Sequence, residues 1–461
     1  MLDLNSLESY KETVLTELER QLKAYFGSIE NLSIEEIRKK VVEINTYQNI
    51  GHLRNAENIK VLDDKNTSEA EKTILAGRFF TEHTAAGEAT RLGLGTKYLL
   101  KLNEFSMQKI RALIINEYLD NKPGKSEEEA ELQAQRLMEL IDFEPNELEA
   151  MTLGERHMTQ MAFDLVKLAK KHGKPAAEVL ARQKILMVLN EQTAKEILDK
   201  FENHNYYGFL NKNVHFMIQQ SFHGISIQQG KLSYDEASPK RLHNHGQMLM
   251  QKCHEGSIFV HGEETRALTF KEYLKMLQEM EDMLSYNIED IGYLENSIDL
   301  ASLQASLDLG RLGYNMVMEV VAQNPYKPQK GGACFFDVKL GKTVMVETNR
   351  LGDIKYEDIK YLNKNFNHYP NPANSILELK KQGIDLPFEI KGQPNNEYIY
   401  PCPIQGDLNF KVKTAFVMRK TLKPIANFKS PATLPATMKA MQMQDNQDGF
   451  LDFRDRLREG L

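Results

Sequence analysis

The chain has 461 residues, 41% of them apolar, which is enough to bury a sizeable core and to form more than one domain. Its formal net charge of -7 argues against broad nucleic-acid binding, because such binding needs a basic face against the phosphates. No stretch approaches the roughly 20 apolar residues of a membrane span, and the N-terminus does not resemble a signal peptide. Cys253, Cys334 and Cys402 show no CxxC spacing, so we expect neither a zinc knuckle nor a disulfide framework. Free cysteines suit a reducing compartment, and we expect a cytoplasmic protein.

The predicted elements begin with a helical N-terminal region, residues 1–75, in which apolar residues such as Val14 and Leu18 form one stripe. Another helical stretch, 103–151, contains Ser126 followed by Glu129, a pattern that predicts a capping box. We interpret this stretch as an insertion into a main domain that spans residues 76–385. The remaining residues, 386–461, contain several prolines and are predicted to form a small C-terminal domain.

Short β-rich runs alternate with helical patterns through the main domain. The runs are KILMVLN (184–190), NVHFMIQQ (213–220), GSIFVHG (256–262), MVMEVVA (316–322), GACFFDV (332–338) and KTVMVET (342–348). One helix is predicted to end at Gly173, and another to begin with a capping box made by Thr193 and Glu196. The alternation predicts an α/β fold with a mixed, mainly parallel central sheet flanked by helices, and with ligands beyond the carboxyl ends of the strands.

The most informative stretch is TAAGEATRLGLGTK (84–97), which places small residues, an arginine and a lysine in one loop. Small residues let backbone N–H groups approach a phosphate, and the two cations can neutralise a polyphosphate. The spacing does not fit a P-loop, because five residues separate Gly87 from Gly93 and Tyr98 follows Lys97. Taken alone, such a loop is more often a turn beside a helix than a nucleotide site.

The loop AAGEATRLG (85–93), followed by Lys97, resembles the signature of the UDP-sugar and UDP-N-acetylhexosamine pyrophosphorylases, in which an AGGxGTRLG loop leads to a Pro-Lys. Further segments resemble motifs of that family in the correct order. They are KILMVLNEQTAKEILDKFENHNYYGFLNKNVHFMIQQS (184–221), HNHGQ (243–247), YNIED (286–290), QKGGACFF (329–336), VMVE (344–347), LNKNFN (362–367) and NFKS (427–430). The resemblance implies a Rossmann-like nucleotidyltransferase fold. It also implies transfer of a nucleotidyl group from UTP or another nucleoside triphosphate to a sugar 1-phosphate, with release of pyrophosphate.

The chain departs from the family pattern at several positions. Ala86 and Ala89 replace two loop glycines, and their methyl groups restrict φ where a phosphate would approach. Lys97 comes one residue early and lacks its proline, and the preceding strand carries Glu82 and His83. The insertion after Lys97 is also unlike the commonest members. These departures predict a distant branch of the family.

The resemblance implies two sets of phosphate contacts. The backbone that would face the nucleotide is that of Ala86, Gly87, Glu88, Ala89 and Thr90. The cations that would stabilise phosphate charge are Arg91, Lys97, Lys330 and Lys429. Each cation has an ordinary alternative, because an arginine at a helix start often pairs with a carboxylate and a lysine at a strand start is most often exposed.

The resemblance also implies contacts to the base, the sugar and a metal. Gln220, or its neighbour Gln219, would read a uracil edge, since an amide offers both a donor and an acceptor. Further contacts to the base, ribose or phosphate would come from Asn244, His245 and Gly246. Sugar hydroxyls would bond to Glu347 and Asn365, with Asn363 as a neighbour. Asp290, or the adjacent Glu289, would hold Mg²⁺ through carboxylate oxygen.

Two other classes of function stay open at this point. One is a non-catalytic nucleotide or nucleotide-sugar binding protein with the same fold, which the two loop alanines favour. The other is a glycosyltransferase, but no Asp-x-Asp motif occurs near the predicted strand ends where such enzymes usually hold their metal. The particular sugar, the base and the oligomeric state are not determined by any linear motif.

Overall fold

The computed structural model describes residues 4–57, 59–62, 66–86, 94–121, 124, 126–288, 291–323, 331–393, 396–419, 428 and 430–459. The α-helices in these ranges are α1 (Leu4–Phe26), α2 (Ile34–Asn45), α3 (Ser68–Leu75), α4 (Met107–Asn121), α5 (Glu127–Met138), α6 (Leu153–Lys171), α7 (Ala176–Arg182), α8 (Ala194–Asn203), α9 (Gly246–Gln251), α10 (Phe270–Gln278), α11 (Leu300–Arg311), α12 (Pro372–Gln382), α13 (Leu434–Asp445) and α14 (Phe450–Glu459). The strands are β1 (Leu53–Asn55), β2 (Lys60–Val61), β3 (Phe79–Thr84), β4 (Lys184–Asn190), β5 (Val214–Gln219), β6 (Ile225–Gln228), β7 (Lys231–Tyr234), β8 (Phe259–Val260), β9 (Arg266–Ala267), β10 (Asp282–Asn287), β11 (Met316–Ala322), β12 (Gly332–Asp337), β13 (Lys342–Glu347), β14 (Tyr361–Pro370), β15 (Phe388–Gln393), β16 (Asn396–Pro401) and β17 (Thr414–Met418).

One large mixed sheet organises the described part of the chain. Its main path runs β2-β17-β11-β14-β10-β3-β4-β5-β8-β9, and β12 with its partners β1 and β13 branches from β14. Parallel pairings join β10, β3, β4 and β5, and a second parallel block joins β11, β17 and β2. Strand β14 runs antiparallel between the two blocks. The predicted α/β fold with a mixed sheet and a helical N-terminal region is therefore confirmed, but its parallel pairing is confined to these two blocks and the other described pairings of the sheet are antiparallel.

Local sequence patterns located several of the elements. Strands β4 and β11 coincide with the predicted runs 184–190 and 316–322. The stripe of α1 is buried, with Val14 and Leu18 fully covered. The capping box of Ser126 and Glu129 is present at the start of α5. The run 256–262 contributes only the two residues of β8.

The predicted capping box at Thr193 is wrong. Thr193 precedes α8, but its side chain makes no capping hydrogen bond. Instead, the Oδ1 atom of Asn190 accepts hydrogen bonds from the backbone N–H groups of Gln192 (3.0 Å) and Thr193 (2.9 Å) and from the Thr193 hydroxyl. The last residue of β4 therefore satisfies the Thr193 N–H, which the Glu196 side chain of a capping box would have bonded.

The residues predicted as a small C-terminal domain, 386–461, contribute to several parts of the described structure. Strands β15 and β16 join β6 and β7 in a separate 4-stranded sheet, whereas β17 lies in the large sheet beside β11. Helix α14 packs on α6 and α13 packs on α14. The guanidinium of Arg156 on α6 is fully buried and donates to both carboxylate oxygens of Asp445, at 2.6 and 3.0 Å. The domain boundaries themselves stay a prediction.

Burial changes the titration of three histidines in or beside the sheet. Burial lowers the pKa of His83 on β3 to about 3, that of His215 on β5 to about 4, and that of His243 to about 3. Each imidazole is therefore neutral in the folded protein near neutral pH, whereas in the unfolded chain it titrates near pH 6.5.

These shifts predict acid sensitivity below neutrality. Between the unfolded and folded pKa values the unfolded chain binds more protons, so stability is complete above about pH 6.5 and falls as the pH falls toward 4. Each of these three histidines contributes a slope of up to about 1.4 kcal/mol per pH unit. Urea unfolding at pH 7, 6 and 5 should therefore show a shallower pH slope for His215→Asn than for wild type. The exposed His52→Ala is the control, and an identical slope for His215→Asn would contradict the assignment.

Candidate active site

The carboxyl ends of four parallel strands lie at one edge of the sheet. The register pairs Asn287 of β10 with Thr84 of β3, and Asn190 of β4 with Gln219 of β5. In α/β sheets ligands bind beyond such ends, where neighbouring loops diverge. The predicted phosphate loop leaves β3 at this edge, and the predicted uracil-reading glutamines stand at the end of β5. We call this region the strand-end edge.

The start of the predicted phosphate loop is attached to β4. Ala86 is buried, and its carbonyl oxygen accepts a hydrogen bond from Nδ2 of Asn190 at 3.2 Å. Asn190 thus links the loop to its own strand end and to the start of α8. The sequence analysis did not single out Asn190, although an asparagine that ends a buried run and precedes a helix is a recognisable signal.

The two adjacent glutamines differ in which side-chain hydrogen-bonding groups remain available to a ligand. Gln219 is buried, and its Nε2 atom donates to the carbonyl oxygen of Asn244 at 2.8 Å and to Oε1 of Gln247 at 3.3 Å. Gln220 is half-buried, and Gln247 bonds only its backbone carbonyl, at 2.8 Å. Within the described residues, the Gln220 side chain forms no hydrogen bond. Gln219 is therefore occupied in holding the next loop, while the Gln220 amide can still bind a partner.

The loop at residues 243–246 is held in an unusual backbone conformation. Asn244 has φ of 57°, in the left-handed region, and its side chain accepts a hydrogen bond from the His245 N–H at 2.8 Å. Gly246 has no room for a Cβ, which would lie 2.4 Å from the Pro403 carbonyl carbon and 2.5 Å from the Ile404 nitrogen. The close approach that Gly246 permits is therefore, in this structure, an approach of the chain's own backbone.

A 3₁₀ helix, Gln405–Phe410, connects this loop to the β12–β13 hairpin. The Gln405 N–H donates to Nδ1 of His245 at 3.1 Å. At the other end, Asn409 bonds both backbone groups of Met345 on β13, at 3.0 and 3.1 Å, two residues before Glu347. The predicted base-side and sugar-side residues are thereby linked. The sequence analysis noted only several prolines in residues 386–461 and did not predict this connection.

A buried ion pair lies beneath the strand-end edge. Glu82 on β3 and Lys252, which follows α9, are both 0% exposed and form a hydrogen-bonded pair. The other Glu82 oxygen accepts from the Ser285 hydroxyl on β10 at 2.7 Å, and that hydroxyl accepts from Nε2 of Gln405 at 2.7 Å. The network thus joins β3, β10, the end of α9 and the 3₁₀ helix. It explains why β3, a buried strand, contains the acidic residue Glu82.

His83 points into a separate buried cluster. Its Nδ1 atom is 2.6 Å from the Tyr286 hydroxyl, and its Nε2 atom is 3.1 Å from the Thr81 hydroxyl. Tyr286 stacks on Tyr293 with ring centroids 4.0 Å apart. Full burial and the low pKa make His83 a neutral structural group rather than a proton carrier.

The predicted phosphate-binding residue Lys97 is half-buried and begins the 3₁₀ helix Lys97–Leu99. The next residue, Tyr98, is fully buried against Gly154 of α6, where a Cβ would lie 2.3 Å from the tyrosine ring. Because Gly154 leaves this space, the turn that carries Lys97 lies directly on α6.

Several predicted site residues lie outside the described part of the chain. They are Gly87, Glu88, Ala89, Thr90, Arg91, Glu289, Asp290, Lys330 and Lys429. Asn365 is described only as a backbone position in β14, which begins near the carboxyl end of β11.

Among the described residues there is no group of three or more His, Cys, Asp or Glu placed to hold a metal. No described helix is both long and apolar enough to cross a membrane.

Ser302, His368 and Asp282 form a contact chain like that of a serine hydrolase. The Ser302 Oγ atom is 2.7 Å from Nε2 of His368, and Nδ1 of His368 is 2.5 Å from Asp282. However, none of the three is more than 2% exposed, and Asp282 begins β10, at the opposite edge from the strand ends. A nucleophile must reach its substrate, so this cluster stabilises the core.

Comparison with known proteins identifies the fold. No family model and no curated protein matches the chain. Solved structures do match, and the fold is that of the UDP-sugar pyrophosphorylases, as the resemblance implied.

Three of these structures show the extent of the match. The UDP-N-acetylglucosamine pyrophosphorylase from Trypanosoma brucei, in complex with an inhibitor, has a TM-score of 0.55 and 13% identity over 94% of this chain and 84% of its own. A UDP-glucose pyrophosphorylase variant from Leishmania major has a TM-score of 0.54 and 10% identity over 90% and 77%. Another variant of the L. major enzyme, in complex with UDP-glucose, has a TM-score of 0.54 and 11% identity over 82% and 68%.

The structural role of the serine cluster can be tested directly. Ser302→Ala should lower the free energy of unfolding by about 1–3 kcal/mol, because it removes a hydroxyl partner of buried His368. Urea denaturation measures this loss. A fluorophosphonate probe, which labels activated serines, should leave Ser302 unmodified in the folded wild type. Labelling at Ser302 would instead establish an accessible nucleophile and contradict the structural assignment.

Proposed function

We propose that this protein transfers a uridylyl group from UTP to a sugar 1-phosphate and releases pyrophosphate. The observation that carries the proposal is the strand-end edge of a pyrophosphorylase fold, where a small-residue loop leaves β3 and the Gln220 amide follows the nearby strand β5. The 243–246 loop is bonded to the end of β5 through Gln219. A fold alone does not define an activity, so the argument depends on these groups.

In the proposed reaction a phosphate oxygen of the sugar 1-phosphate attacks the α-phosphorus of UTP. The bond between that phosphorus and the oxygen that bridges to the β-phosphate breaks, and pyrophosphate leaves with the electron pair. Such a transfer needs in-line placement of the two phosphates and neutralisation of the developing charge. It requires no covalent intermediate with the protein.

The phosphates would be bound by the β3 loop and by cations around it. Lys97 begins a turn packed on α6 and is half-buried. Its backbone is therefore fixed a few residues after the loop. We assign Lys97 and Arg91 to the leaving pyrophosphate, with Lys330 and Lys429 as further cations. The backbone from Ala86 to Thr90 would face the nucleotide.

The uracil would be read by Gln220 rather than Gln219. Both donor hydrogens of Gln219 point to partners within the protein, whereas the Gln220 amide keeps its donor and its acceptor. Asn244 is exposed and His245 half-buried at the same edge, where they can contact base or ribose. Glu347, with Asn365 or Asn363, would bond the sugar hydroxyls from the other side of the 3₁₀ helix.

Mg²⁺ is the cofactor we propose, held by Asp290 or by Glu289. Mg²⁺ commonly takes only one or two protein carboxylates and completes its shell with phosphates and water, so one acid after β10 would suffice. When bound it would neutralise phosphate charge.

A non-catalytic UTP- or UDP-sugar-binding protein is the second candidate. The observation that favours it is Ala86, whose carbonyl is already engaged by Asn190 at the point where the family has a glycine. The first experiment below separates the two candidates.

The decisive assay measures pyrophosphate release in the presence of Mg²⁺. Each of the four common nucleoside triphosphates is tested with each of a set of hexose and N-acetylhexosamine 1-phosphates. We expect release with UTP and one sugar, and about a 100-fold lower kcat for Lys97→Ala, because one charge-stabilising group is lost. Lys97→Arg should restore part of the rate, and Lys109→Ala, on exposed α4 surface, should have no effect. If no substrate pair releases pyrophosphate but the protein binds UTP, the non-catalytic binding protein is favoured.

The two glutamines form a matched pair. Gln220→Ala should raise the KM for UTP about tenfold and reduce the preference for UTP over CTP, with the melting temperature unchanged, because only a ligand contact is lost. Gln219→Ala should instead destabilise the fold by about 1–3 kcal/mol, since it removes the buried amide that bonds the Asn244 carbonyl and Oε1 of Gln247. Steady-state kinetics and thermal unfolding distinguish these outcomes. The reverse pattern would assign base recognition to Gln219.

A further inference from the structure

The helical insertion does not form an isolated lobe. Its helices α4 and α5 share one hydrophobic core with side chains from four other parts of the chain. We call this the insertion core, and its buried members are Leu100, Leu102, Ile110, Ile114, Ala134, Ile141, Phe143, Leu148, Leu153, Leu294, Phe428, Leu434, Met438, Ala440 and Met441.

Three residues of the insertion core lie outside the insertion and close in sequence to residues predicted to bind phosphate or Mg²⁺. Leu100 closes the turn that Lys97 begins, because its N–H donates to the Lys97 carbonyl at 3.1 Å. Leu294 ends the 3₁₀ helix that starts at Ile291, the residue after Asp290 in the sequence. Phe428 immediately precedes Lys429. Leu294 and Phe428 are 0% exposed and Leu100 is 8% exposed, so all three are buried in the same core.

A polar contact adds to this packing. The Glu117 carboxylate on α4 accepts a hydrogen bond from the backbone N–H of Ala432 at 2.8 Å. Ala432 lies in the 3₁₀ helix Pro431–Thr433, which leads directly into α13. A carboxylate at the start of a helix satisfies an otherwise free N–H and interacts favourably with the helix dipole. The insertion therefore bonds the segment that follows Phe428.

Glu117 is not needed to keep α13 in place. The end of α13 is held independently by the Arg156–Asp445 ion pair, and Gln444 donates to the Arg156 carbonyl at 3.2 Å. Loss of the Glu117 contact is therefore expected to loosen the start of this region and leave the global fold intact.

We propose that the insertion is a positioning module for the phosphate-binding segments, and that Glu117 is a positioning residue within it. This inference rests on the proposed function. Nucleotidyl transfer depends on in-line placement of the reacting groups, and small displacements far from the chemistry lower the rate strongly. One core that receives Leu100, Leu294 and Phe428 sets the relative position of three segments that are far apart in the sequence.

The test compares Glu117→Ala with Glu117→Gln and with Asp120→Ala, an exposed acid on the same helix. In the full chain, Glu117→Ala should lower kcat for pyrophosphate release about tenfold and raise the KM for UTP by a similar factor, because the segments that hold the triphosphate are displaced. Glu117→Gln keeps an acceptor oxygen and should recover most of the rate. Asp120→Ala should match wild type.

Hydrogen–deuterium exchange supplies a readout that does not depend on activity. In Glu117→Ala, peptides that cover residues 428–437 should exchange faster, while those from α6 and the central strands stay unchanged. Equal kcat for Glu117→Ala and Asp120→Ala, unchanged exchange at 428–437, or a uniform rise in exchange across the protein would each overturn the proposal.

Failure of the proposed function is distinguishable from failure of this inference. If wild type releases no pyrophosphate with any substrate pair, the proposed function fails, and the same variants are titrated with pyrophosphate in a calorimeter. The inference then predicts about tenfold weaker binding by Glu117→Ala together with faster exchange at 428–437. No difference between Glu117→Ala and wild type in either measurement would overturn it.

Discussion

The buried pair of Glu82 and Lys252 is the interaction on which the candidate site depends. Burial of two charges is costly, and it is tolerated here because the carboxylate also accepts from Ser285, which is bonded in turn by Gln405. Removal of one partner would leave an uncompensated buried charge, at a cost of about 3–5 kcal/mol. Because the pair joins β3 to the end of α9, it couples the strand that leads into the phosphate loop with the helix that follows the 243–246 loop.

Above this pair, internal hydrogen bonds separate supporting groups from groups that can meet a ligand. Gln219, Asn190 and Gln405 bond to backbone or ring atoms of the chain itself and hold the loops. Gln220 and Asn244 are more exposed and stand at the loop surfaces. A site needs both kinds of residue, because a contact residue recognises a ligand only when its own position is set by neighbours. The left-handed backbone at Asn244 is one consequence of that support.

The solved structures that share this fold are 10–13% identical to the chain, so what is retained is the architecture. The same architecture can serve several activities, and the differences lie where chemistry would occur. Alanine stands at position 86 in the loop, a charged pair lies below it, and a helical insertion packs against the segments around Lys97 and Phe428. These features lie at or beside the candidate site.

The sequence by itself determined the elements whose signal is local. The stripe of α1, the capping box of α5 and the apolar runs of β4 and β11 follow from periodicity and capping chemistry, which need no distant partner. The order of weak motifs also indicated the fold. Only the tertiary structure decided which of two adjacent glutamines is free, that Asn190 bonds the Ala86 carbonyl, and what neutralises Glu82. Each of these depends on a contact between residues whose separation in the sequence carries no periodic signal, because a local pattern shows that a side chain is buried but not which partner it meets.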